Sequence, residues 1–294
     1  MKKLSYLLAA AVLVACQSGK KTEEAVVEET PATNVSLVKK WETDTTLTTP
    51  ESVYYDVTNG VLYVACIGAV PPDAKDGDGF IAKVGLDGAI IDTQWVVGLD
   101  GPKGMGMVGN LLYVSNIDEV VEIDVNTGEI TNRFPVEGAS FLNDITVDAS
   151  GTVYISDSGM SKIFALSNGA VALWTEGEVL GGPNGLLAED GRLMVASFGA
   201  GKFSTISIAD KDVKMVVDSI PGGDGVVALD GDYFVSNWNG EVYYVTEDWK
   251  KTKLLDTKAA GANAADIEIA ADQSLLFVPT FFGNTVVAYD IVKE

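Results

Sequence analysis

A strand pattern recurs roughly every forty residues along this chain, and the repeat constrains the fold more than any other feature of the sequence. Each repeat opens with a polar residue that is followed by a hydrophobic run of strand type. The residues that open the six repeats are Glu51, Lys103, Asn143, Asn184, Asp224 and Asp266. One four-stranded blade of a β-propeller has this length. The expected fold class is therefore all-β, a six-bladed β-propeller in a single domain.

The third repeat shows how one blade is encoded. Residues 143 to 166 contain three runs of alternating polar and apolar residues, separated by three-residue turns that contain Gly. β-branched and aromatic residues in such runs favour strands, and the turns join them into an antiparallel meander. Residues 169 to 174 are expected to form the fourth strand. No convincing amphipathic helix with caps is found after residue 15.

The last repeat lacks one strand. Its three predicted strands are residues 266 to 271, 275 to 280 and 285 to 289. The fourth is expected from the N-terminal side, at Val35 to Trp41. Sealing one sheet with strands from both sides of the repeat array would remove an open sheet edge, which is a site of aggregation.

The N-terminal segment is expected to be a targeting signal. Lys2 and Lys3 precede an apolar run, residues 4 to 15, that is too short to span a bilayer as a permanent helix. The sequence ending at Cys16 resembles a bacterial lipobox, so residues 1 to 15 are expected to be a lipoprotein signal peptide and Cys16 the lipidated residue. The alternative is an ordinary signal peptide with a coincidental Cys.

The lipid would be the only membrane contact of the protein. Gln17 after the lipidated Cys favours the outer membrane over the inner one, and the location is expected to be the cell envelope, periplasmic or surface-exposed. Residues 16 to 34 are polar and rich in Lys, Glu and Thr, so they predict a flexible tether. Residues 35 to 294 then form the propeller domain.

The net charge of −22 indicates which partners are excluded. Such an acidic protein should repel nucleic acids and anionic lipid surfaces. The acid excess either keeps an exported protein soluble or provides an acidic binding surface, for which residues 69 to 79, a long acidic insertion in the first blade, are a candidate. A small-molecule substrate and a monomeric domain are expected.

The chain contains no His. This absence excludes Ser-His-Asp and Cys-His triads, His zinc sites and imidazole general bases. Any chemistry must use carboxylates, amides, hydroxyls, Lys, Arg or a bound hard cation. Cys66 lies in an apolar strand pattern and is expected to be a buried core residue rather than a nucleophile.

The residues that open the repeats predict a cation site. The first strand of each propeller blade lines the central channel, so the opening residues converge at one mouth of it. Carboxylate and amide oxygens without sulfur or nitrogen donors suit Ca²⁺ better than zinc or copper. The predicted ligands are Glu51, Asn143, Asn184 and Asp224. Asp266 is a possible additional ligand. At the equivalent position of its own blade, Lys103 would bring a positive charge.

A local interpretation of the same residues is also open. Asn-Gly and Asp-Gly pairs form turns, so each position can be a turn that satisfies its own backbone. Asn116 and Asn237, at the ends of predicted second strands, are further candidates for either local turns or ligand contacts.

At these positions the chain resembles the six-bladed propellers of the gluconolactonase and regucalcin-like family, which is allied to diisopropyl fluorophosphatase. The resemblance covers about residues 45 to 290 and rests on Pro50-Glu51, Leu142-Asn143-Asp144, Gly182-Pro183-Asn184-Gly185 and Gly223-Asp224-Gly225. It implies a catalytic divalent cation, usually Ca²⁺, held by Glu51, Asn143, Asn184 and Asp224. It also implies that Asp224 is the general base or nucleophile and that Asp144, the second candidate catalytic residue, lies near the substrate.

One departure from the family pattern bears on the substrate. Sugar-lactone hydrolases of the family carry an Arg two residues before the first Asn, where this chain has Phe141. A more apolar pocket is therefore expected. Five aromatic residues are candidates for its walls, although aromatic residues in blades more often pack between blades. These are Trp174, Phe198, Trp238, Phe281 and Phe282.

Two functions follow from this reading. The first is a membrane-anchored, Ca²⁺-dependent hydrolase of a small lactone, ester or related electrophile, with Asp224 beside the metal. The second is a non-catalytic propeller that binds a ligand or a protein and uses the cation only as a structural centre. Propellers host many unrelated functions, so the fold alone does not choose between them.

Overall fold

Each repeat of the sequence forms one sheet of four antiparallel strands, and six such sheets are arranged as the blades of a propeller. The computed structural model describes residues 34–293. The predicted signal peptide, Cys16 and all but the last residue of the predicted tether lie outside these residues. The prediction of a six-bladed, all-β propeller is confirmed.

The strands follow the chain blade by blade. Blade one contains β2 (Pro50–Asp56), β3 (Val61–Cys66), β4 (Gly79–Gly85) and β5 (Ile90–Leu99). Blade two contains β6 (Pro102–Val108), β7 (Leu111–Asn116), β8 (Glu119–Asp124) and β9 (Glu129–Pro135). Blade three contains β10 (Leu142–Val147), β11 (Val153–Asp157), β12 (Lys162–Ser167) and β13 (Ala170–Glu176). Blade four contains β14 (Pro183–Glu189), β15 (Arg192–Ser197), β16 (Phe203–Ser207) and β17 (Val213–Val217).

The last two blades complete the propeller. Blade five contains β18 (Gly223–Leu229), β19 (Asp232–Asn237), β20 (Glu241–Val245) and β21 (Lys251–Asp256). Blade six contains β22 (Glu268–Ala270), β23 (Leu275–Pro279) and β24 (Val286–Lys293), together with β1 (Val35–Glu42).

Strand β1 seals blade six, as the sequence predicts. It pairs antiparallel with β24, from Val35 opposite Lys293 to Glu42 opposite Val287. The sheet order is β1-β24-β23-β22, so the two outer strands come from opposite sides of the repeat array. β1 thus covers the backbone edge of β24 that would otherwise be unpaired.

Helical structure in residues 34–293 is limited to four single turns of 3-10 helix. They are Glu178–Leu180, Lys258–Ala260, Ala271–Gln273 and Phe281–Gly283. No helix within the described range is long and apolar enough to cross a membrane.

The hydrophobic core lies between the blades rather than within them. Six clusters of buried apolar side chains each join one pair of neighbouring blades. Cys66 belongs to the cluster between blades six and one and is fully buried, and burial raises the pKa of its thiol. This confirms the expectation of a buried core residue, because such a thiol is a poor source of thiolate.

Candidate functional site

Five of the six predicted residues occupy one level of the central channel. Glu51, Lys103, Asn143, Asn184 and Asp224 are each the second residue of the first strand in their blade. All five are buried, and neighbouring first strands contact one another around the axis. We call the end of the propeller where these strands begin the upper end, and we call Glu51, Asn143, Asn184 and Asp224 the oxygen ligand set.

Serine hydroxyls between the blades fix the register of this level. Ser115 donates to the carbonyl of Asn143, and Ser156 donates to the carbonyl of Asn184 at 2.7 Å. In the same way Ser236 donates to the carbonyl of Ala265 at 2.7 Å. Ala265 is therefore the sixth member of the level.

Asp266, which the sequence reading placed at this level, lies one residue further along its strand, in the register of Asp144. Ser115, Ser156 and Ser236 recur at one position of three second strands, but the sequence does not show which carbonyl each hydroxyl contacts.

Two carboxylate oxygens in the oxygen ligand set are buried without a partner. Glu51 Oε2 and Asp224 Oδ1 form no hydrogen bond within residues 34–293. Asn143 donates its Nδ2 to Ser158 at 3.3 Å, which leaves its side-chain oxygen as the free acceptor. Burial of an uncompensated carboxylate costs several kcal/mol. Orphaned oxygens of this kind fit a hard cation.

The amides matter to this interpretation because the carboxylates alone do not suffice. Among residues 34–293, no group of three or more His, Cys, Asp or Glu side chains has the arrangement of a metal site. The oxygen ligand set contains two carboxylates and two amides. Amide oxygens are ordinary Ca²⁺ ligands, so the amides could supply the remaining donors.

The glycines after the ligands are required by packing, not by turns. Gly185 and Gly225 lie within β14 and β18. A Cβ at Gly185 would overlap the carbonyl oxygen of Asp224, and a Cβ at Gly225 would overlap the amide nitrogen of Ile267. Neighbouring first strands therefore approach too closely for any side chain. The turn interpretation of these Asn-Gly and Asp-Gly pairs does not describe the structure.

The electrostatics of the level favour a positive partner. Burial raises the pKa of Glu51 to about 8, the charge of Asp266 adds to this, and Lys103 opposes it. Burial, with the charges of Glu51 and Asp266, also raises the pKa of Asp224. These carboxyl groups are short of positive charge, and a bound cation would favour their ionised forms.

Lys103 is the positive residue at the same level. Its ammonium donates to the carbonyl of Gly101 at 3.0 Å and to that of Pro72 at 3.2 Å. The ammonium also lies 4.4 Å from the centre of the Phe141 ring. Burial lowers its pKa to about 8. Lys103 thus ties the insertion of blade one to the channel and places Phe141 beside it.

Asp144 and Asp266 form a second acidic pair in the channel. Asp144 accepts hydrogen bonds from the backbone N–H groups of Ile145 and Leu186, each at 2.6 Å. Asp266 accepts one from the hydroxyl of Ser52 at 2.6 Å, and its charge acts on the nearby Asp144 carboxyl group. Burial raises the pKa of both groups. They line a cavity of about 360 Å³ that also includes Glu268.

Two amides that were candidates for ligand contacts serve local structure. Asn116 accepts from the backbone N–H groups of Asp100 and Gly101 at 2.9 and 3.0 Å. Asn237 donates to Glu241 at 3.0 Å and accepts from the backbone of Asn239 at 2.8 Å. The local-turn interpretation holds for Asn237, whereas Asn116 binds the backbone of the connection between blades one and two.

Four of the five predicted wall aromatics lie at the upper end. Phe198 and Trp238 directly follow β15 and β19, and Phe281 and Phe282 lie in the loop after β23. Trp174 does not join them. It lies on β13, the outermost strand of blade three, with its ring 5.2 Å from that of Tyr154.

Comparison with known proteins identifies the fold. No protein family and no curated protein matches the sequence. A catalytically inactive virginiamycin B lyase from Staphylococcus aureus, solved with quinupristin, has a TM-score of 0.61 and 12% identity over 88% of this chain and 99% of that chain. A streptogramin B lyase structure gives 0.60 and 12% over 87% and 97%. A chain of a nidogen–laminin complex gives 0.56 and 17% over 68% and 76%. At these identities the likeness shows the fold alone.

Proposed function

We propose that this propeller is a cation-dependent hydrolase of a small lactone, ester or related electrophile, with its site at the upper end. One observation carries the proposal: Glu51 Oε2 and Asp224 Oδ1 are buried without partners at one level of the channel. The resemblance to gluconolactonase and regucalcin-like propellers supports the same residues.

The oxygen ligand set would hold the cation. Its two carboxylates and two amides offer hard oxygen donors with a total charge of −2, which suits Ca²⁺. When bound, the cation would polarise a substrate carbonyl and neutralise charge that develops on its oxygen. The amide hydrogens of Asn143 point to Ser158, so its oxygen is kept as a donor to the metal.

Asp224 is the residue best suited to activate water. One of its oxygens is buried without a hydrogen bond, so this oxygen is available to accept a proton from water. As general base it would take a proton from water while the water oxygen attacks the carbonyl carbon. The carbon–oxygen bond of the ester then breaks, and the leaving alcohol takes up the proton. Attack by the carboxylate itself is the alternative route.

Asp144 has contacts that support positioning rather than proton transfer. Its two oxygens already accept the N–H groups of Ile145 and Leu186. The bond from Leu186 joins blades three and four, and the bond from Ile145 holds the backbone next to Asn143. In the proposed mechanism Asp144 therefore orients the ligands on blades three and four.

The N-terminal sequence supports a location for this activity. The lipobox-like segment at Cys16 and the polar stretch after it would anchor the propeller to a membrane of the cell envelope, with the outer membrane favoured. The net charge of −22 would keep the domain itself off anionic lipid.

A binding function is the second candidate. The oxygen ligand set is almost completely buried, as expected of a cation that only stabilises the channel. The acidic insertion of residues 69 to 79 would then contact the partner.

Metal analysis of residues 35 to 294, coupled to a lactone and aryl-ester panel with and without chelator, separates these cases. Hydrolysis that needs one stoichiometric divalent cation and is lost in Asp224→Asn supports the enzyme. Metal without turnover favours the binding protein, and the absence of stoichiometric metal rejects the site.

A further inference from the structure

Aromatic side chains gather on one side of the upper end. The rings of Trp238 and Phe281 lie 5.3 Å apart, those of Trp238 and Phe282 5.8 Å apart, and those of Phe281 and Phe282 4.8 Å apart. All three pairs are edge-to-face. Phe282 is 58% exposed and Phe198 is 44% exposed, and they are the most exposed Phe side chains within residues 34–293. Large rings left in water at one place indicate a binding surface.

Strand pairing places these rings beside the oxygen ligand set. Ser197, which precedes Phe198, pairs with Pro183, the neighbour of Asn184. Asn237, which precedes Trp238, pairs with Gly223, the neighbour of Asp224.

Two further contacts bring the same rings towards the channel. The Phe198 ring lies against Gly222, two residues before Asp224, where an added Cβ would meet its Cε2 at 3.9 Å. The 3-10 turn Phe281–Gly283 contacts β2, which carries Glu51.

The upper end of blades one and two presents charged side chains. There the insertion of blade one exposes Asp73, Asp76 and Asp78, and Lys75 pairs with Asp118 at 2.6 Å. Lys103 is buried beneath this side with two of its three N–H groups bound to carbonyls. If the reacting carbonyl of a substrate lies at the oxygen ligand set, the rest of the substrate can lie against the aromatic side or against the acidic side.

A polyhydroxylated sugar lactone does not fit the aromatic side. Its hydroxyl groups would lose water and meet ring faces that return few hydrogen bonds, which is costly. A flat arene would instead pack edge-to-face with Phe282 and Trp238, an arrangement that adds to the gain from burying its area. The acidic side would repel substrates that carry a carboxylate.

Resting on the proposed hydrolase function, we propose that Phe198, Trp238 and Phe282 bind the aryl group of a neutral aromatic ester or lactone, with the buried Phe281 packed against Trp238 and Phe282. The enzyme is then an arylesterase-type or aromatic lactone hydrolase rather than a sugar-lactone hydrolase. The specificity would come from blades four to six, while the cation and Asp224 supply the chemistry.

Three lactones test this preference: dihydrocoumarin, δ-valerolactone and glucono-δ-lactone. We expect kcat/KM for dihydrocoumarin to exceed that for δ-valerolactone by at least about tenfold, a hydrophobic-pocket effect, with glucono-δ-lactone slower still. Phe198→Ala and Phe282→Ala should each lower the dihydrocoumarin to δ-valerolactone ratio about fivefold or more, chiefly through KM. Ile91→Ala and Val292→Ala, which truncate exposed apolar residues on outer strands, should leave the ratio unchanged. Equal ratios in the wild type and all four variants would overturn the proposal.

A binding measurement keeps the test independent of turnover. 2-Tetralone has the fused arene and a carbonyl but cannot be hydrolysed, and cyclohexanone lacks the arene. Calorimetry should show tighter binding of 2-tetralone, weakened at least about fivefold by Phe198→Ala and by Phe282→Ala. If no lactone is turned over yet 2-tetralone binding shows this dependence, the hydrolase fails and the aryl site stands. If turnover occurs but 2-tetralone binds no better than cyclohexanone, the aryl site fails and the hydrolase stands.

Discussion

Ser52 donates its hydroxyl hydrogen to Asp266 at 2.6 Å, and this bond joins blade one to blade six beside the central channel. The same two residues form a parallel backbone bridge, and the amide of Asp266 donates to the carbonyl of Glu51 at 2.9 Å. Ser52→Ala removes a partner from a buried carboxyl group. We expect it to lower the free energy of unfolding in urea by about 1–3 kcal/mol. Ser167→Ala, at an exposed site, is the matched control, and an equal loss in both variants would contradict the assignment.

Cation affinity should depend on the two orphaned carboxylates. Glu51→Gln and Asp224→Asn each remove one negative charge from the oxygen ligand set, so calorimetric Ca²⁺ affinity should fall at least about tenfold. Asp190→Asn removes the same charge at an exposed turn and should leave affinity unchanged. Wild-type affinity in either channel variant would remove that residue from the site.

Stability of the cation-free protein should fall as pH rises. Burial raises the pKa of Glu51 from 4.5 to about 8 and that of Glu268 from 4.5 to about 7. Between pH 4.5 and these raised pKa values, the folded state binds more protons than the unfolded state. The free energy of unfolding is therefore highest at low pH and falls as the pH rises through the folded pKa values. Melting temperatures in EDTA should therefore drop from pH 5 to pH 7.5.

Excess Ca²⁺ should offset part of that drop, because at the proposed site it would bind the ionised form of Glu51 in the folded state only. Glu51→Gln should reduce both the pH slope and the Ca²⁺ effect. A melting temperature in EDTA that is constant or rises over this range would show that these carboxyl groups are not protonated in the folded state.

Lys103→Met should change stability and cation affinity in opposite directions. The variant leaves the carbonyls of Gly101 and Pro72 without their donor, so the melting temperature should fall. It also removes a positive charge near Glu51, so Ca²⁺ affinity should rise by about threefold to tenfold. Lys202→Met, in an upper-end loop of blade four, controls for overall charge. Weaker Ca²⁺ binding in Lys103→Met would instead make Lys103 part of what holds the ligands in place.

Removal of the sealing strand should be severe. Deletion of residues 35 to 41 exposes the backbone edge of β24 and opens the cluster that contains Val35, Val287 and Ile291. We expect a fall in melting temperature of more than about 10 °C, together with aggregation. Val38→Ala, an exposed position on the same strand, should change little. An unchanged melting temperature after the deletion would mean that β1 contributes nothing to closure.

The fold was predictable because blade length, strand alternation and turn residues all repeat in the sequence. Even the sealing strand followed from counting, since the last repeat has only three strands. The register of blade six was not predictable in this way. A long connection from residue 257 to residue 267 precedes its short first strand, and Asp266 resembles a ligand by residue type. The hydroxyl of Ser236 on the carbonyl of Ala265 and the bridge between Ser52 and Asp266 show that the level passes through an alanine.

The candidate site was predictable in its residue types but not in its environment. Sequence spacing brought Glu51, Asn143, Asn184 and Asp224 together, yet nothing in it reported that two of their oxygens lack partners. The sequence also did not show that Gly185 and Gly225 allow neighbouring first strands to approach closely, because Gly is favoured equally where strands approach closely and in tight turns. Trp174 was misplaced because an aromatic residue in a blade suits an outer strand as well as a channel wall.

The pairing of β1 with β24 also sets an order of events during folding. The two partners lie at opposite ends of the described chain, so this sheet forms only after all the intervening blades have been synthesised. Contacts of such long sequence separation are entropically costly and slow to form. The oxygen ligand set draws on blades one, three, four and five, and its geometry is complete only when the propeller has closed. Cation uptake would then report the final step of folding, and the cation would act as a latch that slows reopening of the closed propeller.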